Sequence, residues 1–122
     1  MISEMFSPRQ LSRLLDIANM ACHKGMVADA RRIFETVLAL KPGFVPATVG
    51  LAFSHVVVDD FDNALAILDR VLAEHGSDPD ALAMQGLAHI LAGRREEAEQ
   101  AFARIPQDSA AADMAKVVME GV

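Results

Sequence analysis

The sequence predicts an all-α solenoid of three antiparallel helix pairs followed by a C-terminal capping helix. Two observations predict it. A set of small and large apolar residues recurs every 34 residues, and helix-starting and helix-stopping residues bracket seven segments of helical length. No segment alternates polar and apolar residues as a strand would. Because one helix pair cannot bury its apolar stripe alone, copies of such a unit must stack.

The repeat is clearest around three alanines, each followed by a large apolar residue and preceded by a small one. These triplets are Ala18, Ala30 and Phe34, then Ala52, Ala64 and Leu68, then Gly86, Ala98 and Phe102. Residues three or four positions apart lie on one face of a helix. The small residues let two helix backbones approach closely, and the large residue fills the space beside their contact.

Capping residues and helix breakers define the elements. Ser7 reads as an N-cap followed by Pro8 at the first helical position. Gly25 ends this first helix, and the run at 41–43 ends the second. The predicted helices cover residues 8–24, 27–40, 45–58, 61–75, 79–93, 95–105 and 109–120.

The composition suits one small domain. The chain has 122 residues, of which 52% are apolar, enough to bury a core. We expect a flexible N-terminus over residues 1–7 and a single domain over 8–122. Within that domain the repeats lie at about 11–44, 45–78 and 79–112, with the cap at 109–120.

Charge and cysteine content narrow the function classes. The net charge of −6 argues against nucleic acid or an anionic membrane surface as the main partner. No apolar run reaches the roughly 20 residues that a membrane-spanning helix needs. The single cysteine, Cys22, excludes an internal disulfide, and no secretory signal precedes the first helix. We therefore expect a cytoplasmic protein that does not insert into membranes.

The 34-residue pattern resembles the tetratricopeptide repeat (TPR) family, whose motif contains an Ala-x-x-x-Phe pair and a terminal proline. The pair stands at Ala30 and Phe34, at Ala64 with Leu68, and at Ala98 and Phe102; Pro42 is the one terminal proline in register. The family's Trp and Tyr are absent from every copy. The resemblance covers about residues 11–112. It implies a right-handed stack whose first helices line a concave face.

Carried onto this sequence, the resemblance implies a partner-binding groove on that face. Its residues are Leu15, Asn19, Val49, Phe53, Val56, Val57, Leu87, Ile90 and Leu91. The third helix is apolar on nearly every side, so it should be buried by its neighbours and by whatever fills the groove. We expect Val49, Phe53, Val56, Leu87 and Leu91 to form an exposed apolar patch in the lone molecule.

This groove predicts a binding module for an amphipathic helix or an apolar segment of a protein partner, without a cofactor. The chain resembles the short TPR chaperones of bacterial type III secretion, which hold needle or translocator subunits in the cytoplasm before export. Three alternatives stay open: a homodimer formed through the groove, a groove filled by the last helix or by residues 1–6, and a scaffold in another bacterial complex. The carboxylate clamp that some TPR receptors carry is disfavoured, because Asn19 is the only fitting residue.

The sequence gives little support to a catalytic or metal-binding function. His55 and His89 stand 34 residues apart at equivalent places in two repeats, so they could lie close enough to bind one metal ion. No third ligand has suitable spacing, however. We predict that both pack between helices; a hydrolase that uses either one is the remote alternative. The acidic run at 59–62 lacks the glycine and distal glutamate of a calcium loop, so we interpret Asp59 as a helix terminator and Asp60 as an N-cap. We expect no catalytic residue and no metal ligand.

Overall fold

The structure, a computed structural model, describes residues 6–121, and all regular structure within them is helical. The elements are α1 (Pro8–His23), α2 (Val27–Leu40), α3 (Val45–Val56), α4 (Phe61–Glu74), α5 (Pro79–Leu91), α6 (Arg95–Ala103) and α7 (Ala110–Glu120). The predicted all-α fold of three helix pairs plus a last helix is confirmed. The predicted flexible segment 1–7 lies mostly outside the described residues.

The helices stack in two rows. Each pair packs internally, and α2 and α4 also pack on the first helix of the next pair. The first helices contact one another directly along the row α1, α3, α5 and α7, whereas α2, α4 and α6 make no comparable contacts with each other. The row of first helices is therefore the tighter, inner side of the stack, which makes it the concave face.

The repeating residues occupy the core. Phe34 of the first pair and Leu68 of the second are fully buried, each in its own apolar cluster. The ring of Phe34 lies where a Cβ atom on Gly50 would be, and Phe102 occupies the same kind of space beside Gly86. Glycine at these two places therefore permits the close packing of an aromatic ring against a helix backbone.

Three polar residues, of which Ser7 was predicted, cap the N-termini of helices. Ser7 and Gln10 form a capping box in which the Gln10 backbone N–H donates to Ser7 Oγ at 3.2 Å. Asp78 accepts from the Ala81 backbone at 2.9 Å, and Ser109 accepts from the Ala112 backbone at 3.2 Å. These bonds satisfy N–H groups that have no partner within the helix.

The turn after α3 departs from its counterparts. Gly25 and Gly93 end the first helices of their pairs with φ of 79° and 80°, and Asp59 takes their place in the second pair with φ of 62°. Asp59 thus terminates the helix, as predicted, in a region that favours glycine. Asp60 is the N-cap residue of α4, as predicted, but its side chain makes no capping hydrogen bond; its Oδ2 accepts from Asn63 Nδ2 at 2.7 Å.

The last helix extends the inner row. It packs Ala111, Ala112 and Ala115 into an apolar cluster with Leu82 and Ala83 of α5. Since α7 lies beside α5 at the end of the stack, the alternative in which the last helix fills the groove is wrong. Among residues 6–121 no helix has the length and apolarity needed to cross a membrane.

Candidate partner-binding groove

Two rows of side chains run along the concave face, and each row contains one residue from α1, one from the α3 segment and one from α5. The middle row consists of Asn19, Phe53 and Leu87, all partly exposed. The rim row consists of His23, Val57 and Leu91, all exposed. The sequence spacing of 34 residues within each row places equivalent side chains side by side on neighbouring helices.

The rim row is the most accessible apolar part of the groove. Leu91 is 55% exposed and Val57 is 38% exposed. Val58, which the sequence analysis did not single out, is also exposed beside them. Its signal was present in the run of three valines at 56–58, because a helix that ends within such a run leaves its last members uncovered.

Phe53 forms the centre of the middle row. It is partly buried and packs against the clusters of both the first and the second helix pair. The centroids of its ring and of the His23 ring lie 5.1 Å apart at a tilt of 60°. Phe53 therefore packs on two helix pairs and still leaves part of its ring exposed.

Two predicted groove residues are not part of its open surface. Val49 is 8% and Val56 is 3% exposed, so the prediction that they are exposed is wrong. Both belong to the core cluster that contains Ala52 and Ala88. They are covered by α4 and α5, which contribute most of the other residues of this cluster. Leu15 and Ile90 are partly buried.

A polar network fixes α3 behind the groove. Arg31 of α2 donates from Nε to Ser54 Oγ at 3.0 Å, and its Nη2 lies 3.2 Å from His55 Nδ1. The same His55 nitrogen lies 3.0 Å from Asp60 Oδ2, and hydrogen bonds from Asn63 and His55 hold the pKa of Asp60 below its usual value. His55 thus packs between helices, as predicted, within a network that also satisfies the fully buried Ser54.

His89 occupies the equivalent position in the third pair without these partners. The residues 34 positions after Arg31, Ser54 and Asp60 are Leu65, Ala88 and Arg94. Among the described residues His89 Nδ1 is buried and has no hydrogen-bond partner. Burial, followed by the nearby Arg94 charge, lowers the pKa of His89.

His89→Leu should therefore stabilise the fold and flatten its pH dependence. Because the pKa of His89 is lower in the folded protein than in the unfolded chain, the unfolded chain takes up a proton first as the pH falls. The contribution of neutral His89 to the free energy of unfolding is therefore complete above about pH 6.5 and declines below it. Removing the unsatisfied nitrogen should add about 1 kcal/mol at pH 7. Urea unfolding of both proteins at pH 7 and pH 5 checks this. If the variant loses as much stability between the two pH values as the unmodified chain does, the role assigned to His89 is contradicted.

Cys22 lies in the first core cluster and is buried. Burial raises the pKa of its thiol, which keeps the sulfur protonated. Cys22 therefore acts as a small apolar core residue. Within residues 6–121 no three His, Cys, Asp or Glu side chains gather as metal ligands.

Comparison with known families agrees with this architecture. A search of curated proteins finds no significant match. The family model described as tetratricopeptide repeat matches two overlapping segments, residues 23–87 and 58–118. Together these segments span most of the chain, from the end of α1 into α7. The chain therefore belongs to the tetratricopeptide repeat family, a family of protein–protein interaction modules.

Proposed function

We propose that the concave groove binds an amphipathic helix of a protein partner and that the chain acts as a chaperone for that partner. The observation that carries the proposal is the pair of neighbouring rows on the first helices. They join a partly buried aromatic centre, Phe53, to the exposed aliphatic rim at Val57 and Leu91. An apolar strip of this kind takes the apolar face of a helix.

The chemistry of the groove favours such a segment over a charged chain end. The two rows carry four apolar side chains, one amide and one imidazole, and no Lys or Arg. A free carboxylate needs several cationic or amide donors at one place, which these rows lack. We therefore propose that the partner contributes side chains rather than its terminus.

The finer proposal is a cytoplasmic chaperone of type III secretion that holds a needle or translocator subunit before export. The chain shares small size, acidic charge and an apolar groove with those chaperones. A scaffold or assembly adaptor in another bacterial complex is the second candidate, favoured by the same groove. In either case the function needs no catalytic residue and no cofactor.

Site-specific photo-cross-linking in cells of the source organism tests the proposal and identifies the partner. A photo-reactive phenylalanine analogue at Leu91 or at Val57 should capture one protein, and peptide mapping should place the cross-link on an amphipathic helix. The same analogue at Ala66, an exposed residue of α4, is the matched control. Equal capture from Ala66, or a cross-link to a polar segment, would contradict the groove as the binding site. An exported subunit as the captured protein would support the secretion role.

A further inference from the structure

The two ends of the stack carry exposed apolar side chains that the groove does not use. The outer face of α1 exposes Ile17 and Met20, the latter to 57%. The outer face of α7 exposes Met114 and Val117, the latter to 68%. Solenoids generally need polar outer faces on their terminal elements to stay apart in solution. Apolar ends are therefore surfaces that a further helix would cover.

The repeat itself shows that the outer face of α1 accepts a helix. The residues 34 and 68 positions after Met20 are Ser54 and Ala88, and both are fully buried. Ser54 is covered by α2, whose Arg31 bonds to it, and the helix that Ala88 belongs to packs against α4. Met20 occupies the same place on α1 but is 57% exposed, because none of the described helices packs over it.

The charges at the two ends are opposite. On α1 the apolar pair lies on one helical stripe with two cations, in the order Arg13, Ile17, Met20 and Lys24, and one acid, Asp16, lies beside it. On α7 the stripe through Val117 carries two acids, Asp113 and Glu120, and one cation, Lys116, lies beside it, so the opposition is one of net charge. The asymmetry extends through the chain. Residues 1–41 carry six basic and four acidic side chains, whereas residues 42–122 carry five basic and thirteen acidic ones.

We propose that copies of this chain associate head to tail, with α7 of one copy on the outer face of α1 of the next. Apolar side chains at the centre and opposite charges at the margins make the two surfaces complementary. They lie at opposite ends of the stack, so the contact is heterologous and propagates instead of closing into a two-fold dimer. Because a single helix covers a small area, the association is weak and rises with concentration. It leaves the concave groove open.

Two double variants, one for each end of the stack, test the proposal first separately and then as a mixture. Ile17→Gln with Met20→Gln removes the apolar part of the α1 end, and Met114→Gln with Val117→Gln removes that of the α7 end. All four residues are exposed, so the fold should be retained. Sedimentation velocity from micromolar to submillimolar protein should show growing species for the unmodified chain and a monomer for each variant alone.

The decisive sample is the equimolar mixture of the two variants. Each keeps the end that the other has lost, so the mixture should form a one-to-one dimer and nothing larger. A monomeric mixture, or a monomeric unmodified chain at every concentration, would overturn the proposal. The proposal would also be overturned if only one of the two variants lost its self-association. That result would mean that copies associate through the same surface on each copy.

Two controls separate this contact from others. Ala39→Gln with Ala66→Gln alters exposed residues of α2 and α4 and should leave self-association unchanged. Raising the salt to about 0.5 M should weaken the association, because screening acts on the marginal charges. Salt-strengthened association, or loss of association in the control variant, would contradict the end-to-end contact.

Discussion

Replacing Phe53 by aspartate should abolish partner binding, with an affinity loss of at least about 100-fold. Phe53 is the central side chain of the proposed groove, and its ring centroid lies 5.1 Å from that of His23. Rigid aromatic side chains at the centre of an interface typically contribute about 2 to 4 kcal/mol on truncation. A carboxylate there also places a charge against the apolar face of the bound helix. Titration calorimetry with the purified partner measures the loss.

The result needs a control for stability, because Phe53 also packs against two core clusters. We expect Phe53→Asp to lower the free energy of unfolding by about 1 to 3 kcal/mol while the far-ultraviolet circular dichroism stays helical. Unchanged affinity in a folded Phe53→Asp variant would refute the groove assignment.

Phe34→Ala should remove most of the stability of the fold, with a cost of about 3 to 5 kcal/mol. Phe34 is fully buried in the first cluster, and a small domain of this kind has only about 5 to 15 kcal/mol in total. Gly50→Ala should cost about 1 to 2 kcal/mol, because its Cβ overlaps the Phe34 ring although alanine favours the helix.

The two substitutions should be strongly non-additive. Once the ring is gone, the Cβ at position 50 fills part of the cavity, so the double variant should be about 2 kcal/mol more stable than the sum of the single effects predicts. Urea unfolding of the four chains measures the coupling. Phe34→Leu replaces Phe34→Ala in the cycle if the alanine variant does not fold. Additive costs would contradict the close approach of this ring to the α3 backbone.

The sequence was sufficient for the architecture because the determinants of the architecture are local and repeated. The alanines at 30, 64 and 98 and the large residues after them recur in register, and Ser7 followed by Pro8 marks the first helix start. Helix ends were predicted one or two residues too late in several elements. In α3 the helix ends at Val56 because the turn that Asp59 closes begins before that residue.

The groove was predicted less completely. Its residues were those that the resemblance to the TPR family implies, and Phe53, Val57 and Leu91 have accessible surface. The burial of Val49 and Val56 depends on how α3 packs between α4 and α5, which the spacing of residues within one repeat does not specify. The lack of a hydrogen-bond partner for His89 Nδ1 was not predicted for a similar reason. The residues that contact His55 in the second pair are Arg31 and Asp60, outside its own helix, and their counterparts near His89 are different residues.

The affinity of the purified partner for Leu91→Asp, relative to Ala66→Asp, tests the central claim most directly. Both substitutions place the same charge at an exposed position, so neither should disturb the core. Leu91 lies on the groove rim and Ala66 lies outside the groove on α4. The account predicts binding at least about tenfold weaker for Leu91→Asp and nearly unchanged for Ala66→Asp. Equal affinities for the two variants would contradict it.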